Sequence, residues 1–223
     1  MAQQMKNARI AGIFYLITFV TSIPAVFLLD PILHNSNFVI GSGSSTSVLL
    51  GCLLDLLNAI ACIGTAVSIY PIVQSQNKSM ALGFIASRLF EAAVIMIGVV
   101  SLLAIVSLRK SYLADQSIDV SGLHIMSNGF LELRNWTFLL GPGLIPAVNG
   151  VLLGGLLYKS KLVPSLIPTV GLIGAPLLVI SALCTYFGIF GQTSPIAAIL
   201  GLPIAAWELS VGVYLALRGI RKV

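Results

Sequence analysis

Charged residues are scarce in this sequence: Lys, Arg, Asp and Glu make up 9% of its 223 residues. Soluble domains carry about 25%, because a small domain exposes much of its surface to water. Lipid removes that requirement. With 57% hydrophobic residues and a mean hydropathy of +1.03, the composition excludes an ordinary soluble domain and predicts an integral membrane protein.

Motifs for enzymatic or nucleic-acid chemistry are missing as well. The net charge is +5, but the basic residues are scattered at the ends of apolar runs and form no stripe that could bind nucleic acid. No CxxC, HExxH, GxSxG or P-loop is present, and the two histidines, His34 and His124, lie in polar segments. We therefore expect no metal, no cofactor and no nucleic-acid partner. An enzyme is the third-ranked class.

Six apolar runs are long enough to cross a bilayer, which takes about 20 residues per helix. The first run is longer than the roughly 7–15 apolar residues of a signal peptide, so we interpret it as a retained span. Asp30 and Pro31 are expected to end it, and Arg109 to end the third. We predict one all-α transmembrane bundle over residues 1–223. Its helices are placed at about 10–29, 48–73, 80–108, 129–158, 162–190 and 195–217.

The polar stretch before the fourth run leaves one local alternative open. Apolar residues alternate with polar ones between 111 and 128, which is compatible with a short interfacial helix. Residues 111–135 could also contain a re-entrant segment, which would change the number of spans.

Basic residues are distributed unevenly between the two sides of the predicted bundle. If the N-terminus is cytoplasmic, the external segments hold only Arg109 and Lys110. The positive-inside rule then predicts that both termini lie in the cytoplasm. The cytoplasmic segments hold Lys6, Arg9, Lys78, Lys159, Lys161, Arg218, Arg221 and Lys222.

Ionisable residues inside the predicted spans are the main functional signal. Each costs about 2.5–3.5 kcal/mol at the centre of a bilayer. Arg88 and Glu91 are three positions apart, share a helix face and are expected to pair. Glu132 and Arg134 are expected near the external surface. Counting Asp55, Glu91, Glu132 and Glu208 against Arg88 and Arg134, at least one deep acid must hold a proton, water or a cation.

Two amides complete a candidate polar site. Asn58 lies about one turn from Asp55, Asn149 lies deep in the fourth span, and amides can hydrogen-bond to a buried carboxylate. The expected ligand is a small molecule, a proton or a cation. The alternative is a cluster that only fixes helix packing. The candidate intramembrane site consists of Asp55, Asn58, Arg88, Glu91, Asn149 and Glu208.

Glycine and proline interrupt the fourth run at Gly141, Pro142 and Gly143. Backbone groups freed there must face protein or a water-filled cavity, and broken helices recur at transporter binding sites. A simple proline kink is the alternative. Small residues spaced four apart, such as Gly150 and Gly154, suit close helix packing within one bundle or a homo-oligomer.

Six segments, in order and over nearly the whole chain, carry a family resemblance. Together they resemble a bacterial family of multi-pass membrane proteins catalogued as domain of unknown function 4386. One departure is Asp55, where relatives more often carry Glu. The resemblance implies a bacterial cytoplasmic membrane and brings no activity, substrate or cofactor. The segments are 9–16 (RIAGIFYL), 64–71 (GTAVSIYP), 81–91 (ALGFIASRLFE), 136–143 (WTFLLGPG), 171–176 (GLIGAP) and 207–212 (WELSVG).

Two functional hypotheses of different class follow from these observations. The surplus of buried acid and the broken fourth helix favour a transporter-like or ligand-binding membrane protein. The alternative is an accessory or regulatory membrane protein whose buried polar residues are structural.

The charge count predicts the topology. Reporters fused after Val223 or within residues 74–79 should report cytoplasm, and reporters near Gly43 and Asp119 should report the external side. An external reporter signal after Val223 would show that the number of spans is miscounted, most directly within residues 111–135.

Overall fold

The computed structural model describes residues 2–221, which contain seven helices and no strand. Lys222 and Val223, which the topology prediction uses, lie outside the described residues. Six helical segments are long and apolar enough to cross a membrane, and Val120–Ser160 is one of them, although it is interrupted within. The helices are α1 Ala2–Leu33, α2 Ser45–Val73, α3 Lys78–Ala114, α4 Val120–Leu140, α5 Ile145–Ser160, α6 Leu166–Tyr186 and α7 Pro195–Arg218.

The helices form a closed ring. Each span packs on its neighbours in the chain, and α7 returns to pack on α1. The fourth span packs along α3 in two parts, α4 on one half and α5 on the other. Gly98 therefore lies against Thr137 of α4, whereas Ser87 hydrogen-bonds to Asn149 of α5. Side chains that point into the ring from different spans can meet at its centre.

Large apolar side chains cover the outer surface of the ring. Val20 and Phe27 of α1 are 71% and 73% exposed, and Ile199 and Leu202 of α7 are also exposed. A soluble monomer rarely exposes apolar patches of this extent, whereas lipid solvates them without penalty. The structure thus agrees with the prediction of an all-α multi-pass membrane protein.

Several helix ends differ from the predicted ones. α1 begins at Ala2 and continues through Asp30 and Pro31 to Leu33, so the prediction that these two residues end it was wrong. A proline this close to the end of a helix removes few hydrogen bonds, and the Asp30 carbonyl still accepts one from His34. Hydropathy marks where lipid ends, and a helix can continue into water beyond that point.

Arg109 does not end α3, which runs to Ala114. Its guanidinium is buried and turns back towards the α1–α2 loop, where it donates hydrogen bonds to the carbonyl oxygens of Phe38, Gly41, Ser42 and Gly43. The guanidinium also stacks on the Phe38 ring, 4.6 Å from its centroid. One arginine thus holds the Gly/Ser-rich loop in a defined turn.

The remaining differences follow from local backbone conformation. α6 is shorter than the predicted 162–190. Lys161, in a left-handed conformation, ends α5, and α6 begins only at Leu166; after its last residue, Tyr186, the backbone reaches a positive φ at Gly188. Residues 111–135, all of which the structure describes, contain no separate interfacial or re-entrant helix. Instead α4 begins at Val120, where the Asp119 carboxylate accepts hydrogen bonds from two backbone amides and caps the helix.

Glycines let the ring close. A Cβ on Gly12 of α1 would lie 2.2 Å from the backbone nitrogen of Ala216 in α7, and Gly212 of α7 lies against Tyr15. Gly150 of α5 likewise lies against the Gly171 backbone of α6. Gly150 therefore packs within the bundle, as one of the two alternatives predicted.

This close approach predicts different outcomes for two glycines. Gly12→Ala should destabilise the protein by about 1–3 kcal/mol, because α1 and α7 must separate. Gly129→Ala, at an exposed helical position with no heavy atom within 4 Å, should be neutral or stabilising by about 0.5–1 kcal/mol. Thermal unfolding in detergent micelles measures both. Equal melting temperatures for the two variants would contradict the α1–α7 contact.

Candidate functional site

A single guanidinium at the centre of the ring bridges two carboxylates. Arg88 of α3 is 2% exposed. It donates one hydrogen bond to Oε2 of Glu91 on the same helix and another to Oε1 of Glu208 on α7, both at 2.9 Å. The expected Arg88–Glu91 pair is therefore present, and Glu208 joins it from the last span.

Further polar side chains fix this arrangement. Asn149 of α5, fully buried, donates from Nδ2 to Oε2 of Glu91 at 3.0 Å. The Ser87 hydroxyl donates to Oδ1 of Asn149, which sets the orientation of the amide. We call Ser87, Arg88, Glu91, Asn149 and Glu208 the Arg88 cluster.

Side chains from α1 and α2 complete the surroundings of the guanidinium. The Tyr15 ring lies 4.9 Å from the guanidinium carbon and the Phe84 ring 5.8 Å, within the range of cation–π attraction. Cys62 of α2 accepts a long contact from the guanidinium at 3.7 Å. Sequence reasoning missed Tyr15, Cys62 and Ser87. Tyr15 and Ser87 lie in segments that carry the family resemblance, which is the signal that could have found them.

A cavity of about 260 Å³ opens beside the Arg88 cluster, and we call it the Glu208 cavity. Arg88, Glu91 and Glu208 all line it, together with residues from every other span, including Thr18, Asn58, Pro146 and Leu178. The surplus carboxylate charge of the cluster therefore faces open space.

Two of the six predicted site residues lie mainly elsewhere. Asp55 and Asn58 line a second cavity of about 250 Å³, which we call the Asp55 cavity, with Arg134 and Thr137 of α4. The prediction of one polar cluster needs this correction: Asp55 is seven residues from Cys62, about 10 Å along α2. Among residues 2–221, only Asn58, Ser22 and Pro142 line both cavities.

Arg134 was predicted near the external surface, and the structure adds that its side chain is buried. It follows Val120, the first residue of α4, by fourteen positions. It is 8% exposed, and its guanidinium stacks on Phe138 at 4.4 Å. Glu132, in contrast, is exposed.

The Gly-Pro-Gly segment breaks the fourth span completely. Residues 141–144 leave the helix, and Gly143 donates a backbone hydrogen bond to Phe138 while Ile145 donates one to Gly141. This is a turn between two helices, more than the simple kink considered as the alternative. Pro142 projects from this turn to line both cavities.

Metal binding has no geometric support within residues 2–221, where no group of three or more His, Cys, Asp or Glu side chains could hold an ion. The arrangement has other capabilities. It can hold a charge-balancing proton or a monovalent cation at the carboxylates, and it can hydrogen-bond to a small molecule in either cavity.

The fold and this site define a multi-pass helical membrane protein with a buried ion network. The family described as "Domain of unknown function (DUF4386)" matches residues 10–219. The chain belongs to this family, which confirms the resemblance found in the sequence. No curated protein and no solved structure matches the chain.

The Arg88 cluster predicts a large effect of one substitution. Arg88→Ala leaves two carboxylates without their shared cation, and breaking a buried pair in this way costs about 3–5 kcal/mol. Lys78→Ala removes an exposed charge and is the control. The melting temperature and the folded yield in detergent should fall for Arg88→Ala and stay unchanged for Lys78→Ala. If both variants resemble the parent, the ion pairs do not support the fold.

Proposed function

We propose that this protein is a transporter-like membrane protein that carries an exchangeable proton or small cation at the Arg88 cluster. The observation behind this proposal is an excess of negative charge: two carboxylates, Glu91 and Glu208, share the single guanidinium of Arg88. Both carboxylates also line a cavity.

The energetic argument starts from the charge of the cluster. With both glutamates ionised, the cluster carries a net charge of −1 in a region where lipid and protein replace water. Uncompensated charge in that setting is costly, so a proton or a cation in the Glu208 cavity would neutralise it. A group that takes up and releases a positive charge at this depth has the chemistry of a proton or ion relay.

The broken fourth span supports movement around the cluster. Residues 141–144 join two short helices, and Pro142 of that turn lines both cavities. A change of angle between α4 and α5 would alter both cavities together. Discontinuous helices beside a mid-membrane site are a recurrent feature of transporters.

The topology and the type of membrane are inferred from the distribution of basic residues and from the family resemblance. We infer that both termini face the cytoplasm and that the membrane is the bacterial cytoplasmic membrane. The predicted homo-oligomer stays a prediction. The exposed apolar faces of the ring are compatible with lipid alone or with a second copy of the chain.

One observation favours the competing structural function. Each glutamate of the cluster already has a hydrogen bond from Arg88, and Glu91 has a second from Asn149. A cluster paired to this extent could serve only to join α3, α5 and α7. The two functions differ in whether Glu208 changes its protonation or binds a cation.

Glu208→Gln distinguishes the two functions, because it keeps the shape and removes ionisation. The parent in detergent should show an infrared band of a protonated carboxyl that changes with pH or on addition of sodium. Glu208→Gln should fold as the parent does and lose that change, together with any pH dependence of melting temperature that arises at this residue. Because Glu91 and Glu208 share one guanidinium, Glu91→Gln should have a similar effect.

Glu132→Gln is the matched control, since it removes an exposed carboxylate from another helix and should leave the buried band unchanged. If the parent and Glu208→Gln give the same band and the same pH profile, Glu208 does not exchange a proton or cation. The structural function would then be the better description.

A further inference from the structure

We infer that the Asp55 cavity is a binding site for a small zwitterion, a molecule that carries one ammonium-type and one acidic group. The inference goes beyond the proton or cation proposed at the Arg88 cluster, and it rests on a different set of residues. Asp55 and Asn58 of α2 face the cavity together with Arg134 and Thr137 of α4.

Opposite charges face this cavity without neutralising each other directly. Asp55 and Arg134 both line it, yet no ion pair within 4 Å joins them in the described range, where the arginine pairs are those of Arg88. Arg134 is 8% exposed, so its charge has little contact with the surroundings of the protein. Asp55 is half-buried, and a ligand between the two helices that contacts both charged groups would lower the cost of holding the Arg134 charge away from water.

An unpartnered amide oxygen points to the same conclusion. Asn58 is 9% exposed, lines the cavity, and its buried Oδ1 has no hydrogen-bond partner among residues 2–221. A buried acceptor without a partner is uncommon and needs an explanation. An ammonium group donates up to three hydrogen bonds, so one such group can satisfy both the Asp55 carboxylate and the Asn58 oxygen.

The opposite side of the cavity suits an acidic group. The Arg134 guanidinium is held by its stacking on Phe138, and guanidinium groups bind carboxylate or phosphate through two parallel hydrogen bonds. The Thr137 hydroxyl already donates to the Arg134 backbone carbonyl and keeps its acceptor capacity. The recognition groups of the cavity therefore divide into an acceptor set on α2 and a donor on α4.

The size and walls of the cavity limit the ligand further. A volume of about 250 Å³ lies below the roughly 300–1,000 Å³ of drug-sized pockets. The remaining walls are apolar and include Ile95 and Leu29. The ligand is accordingly a small molecule with a short apolar part between or beside its charges.

The cavity is lined in part by exposed side chains, so it reaches the surface of the protein at α1. Ile23 and Val26 of α1 line the cavity and are 55% and 51% exposed, and α1 does not pack closely on α4. The same zwitterionic chemistry occurs in free amino acids and in ethanolamine phospholipid headgroups. The soluble and lipid sources must be separated by experiment.

The residues that would hold the zwitterion, Asp55, Asn58 and Arg134, do not include Glu208. Only the interpretation of the zwitterion as a transported substrate rests on the proposed function. Glu208→Gln tests that function by infrared spectroscopy, whereas the zwitterion is tested by binding, so the failure of one is distinguishable from the failure of the other.

The test is thermal unfolding and calorimetric titration of the detergent-purified protein with probes of increasing charge separation: glycine, β-alanine and γ-aminobutyrate. At least one should raise the melting temperature by about 2 °C or more. Propylamine and propionate, each with a single charge, are the matched probes and should have no such effect. A separate titration uses micelles containing phosphatidylethanolamine or phosphatidylglycerol. Stabilisation by phosphatidylethanolamine but not by phosphatidylglycerol would identify a lipid headgroup as the zwitterion that binds.

Variants of the two charged residues assign the site. Asp55→Asn and Arg134→Gln should each weaken binding at least about tenfold, and Glu132→Gln, which removes an exposed carboxylate that lines neither cavity, should bind as the parent does. If Arg134→Gln does not fold, Asp55→Asn tests the same prediction alone. The inference is overturned if no zwitterion, soluble or lipid, stabilises the parent more than the singly charged probes do. It is also overturned if Asp55→Asn binds as tightly as the parent.

Discussion

The shared guanidinium of Arg88 is the contact on which the centre of the ring depends. It joins Glu91 of α3 to Glu208 of α7, and it lies over the Tyr15 ring of α1. Helices in lipid gain little from the hydrophobic effect on meeting one another, so polar contacts and close packing decide which of them meet. Arg88 supplies the polar contact between the third and last spans, and Gly12 and Gly212 supply the close packing between the last and the first.

The interior around this contact keeps hydrogen-bonding capacity that protein atoms do not use. Nε of Arg88, the Tyr15 hydroxyl and Oδ1 of Asn58 are buried without a partner within residues 2–221. Each would cost about 1–3 kcal/mol if it stayed unsatisfied. Because Arg88 and Asn58 line cavities, water or a ligand can satisfy them there.

Hydropathy was sufficient to predict the class, the six spans and the break at Gly141, because these depend on the local sequence. The Arg88–Glu91 pair was predictable for the same reason, since two residues three positions apart on a helix lie on the same face. The division of the polar residues into two cavities was not, because it depends on how the helices are rotated and placed against one another. The sequence does not show that the Arg134 side chain turns inward and lines the same cavity as Asp55.

Charge is divided unequally between the two cavities, and this division bears on how they could act together. The Asp55 cavity is balanced by Arg134, so it suits a ligand without net charge. The Glu208 cavity has one acid in excess, so it suits a proton or cation. Asn58, Ser22 and Pro142 border both. A ligand that draws the Asn58 amide towards Asp55 would remove that amide from the Glu208 cavity, and a change in the Pro142 turn would alter both volumes. Occupancy of one cavity would thereby alter the other, which is the physical requirement for coupling a solute to an ion.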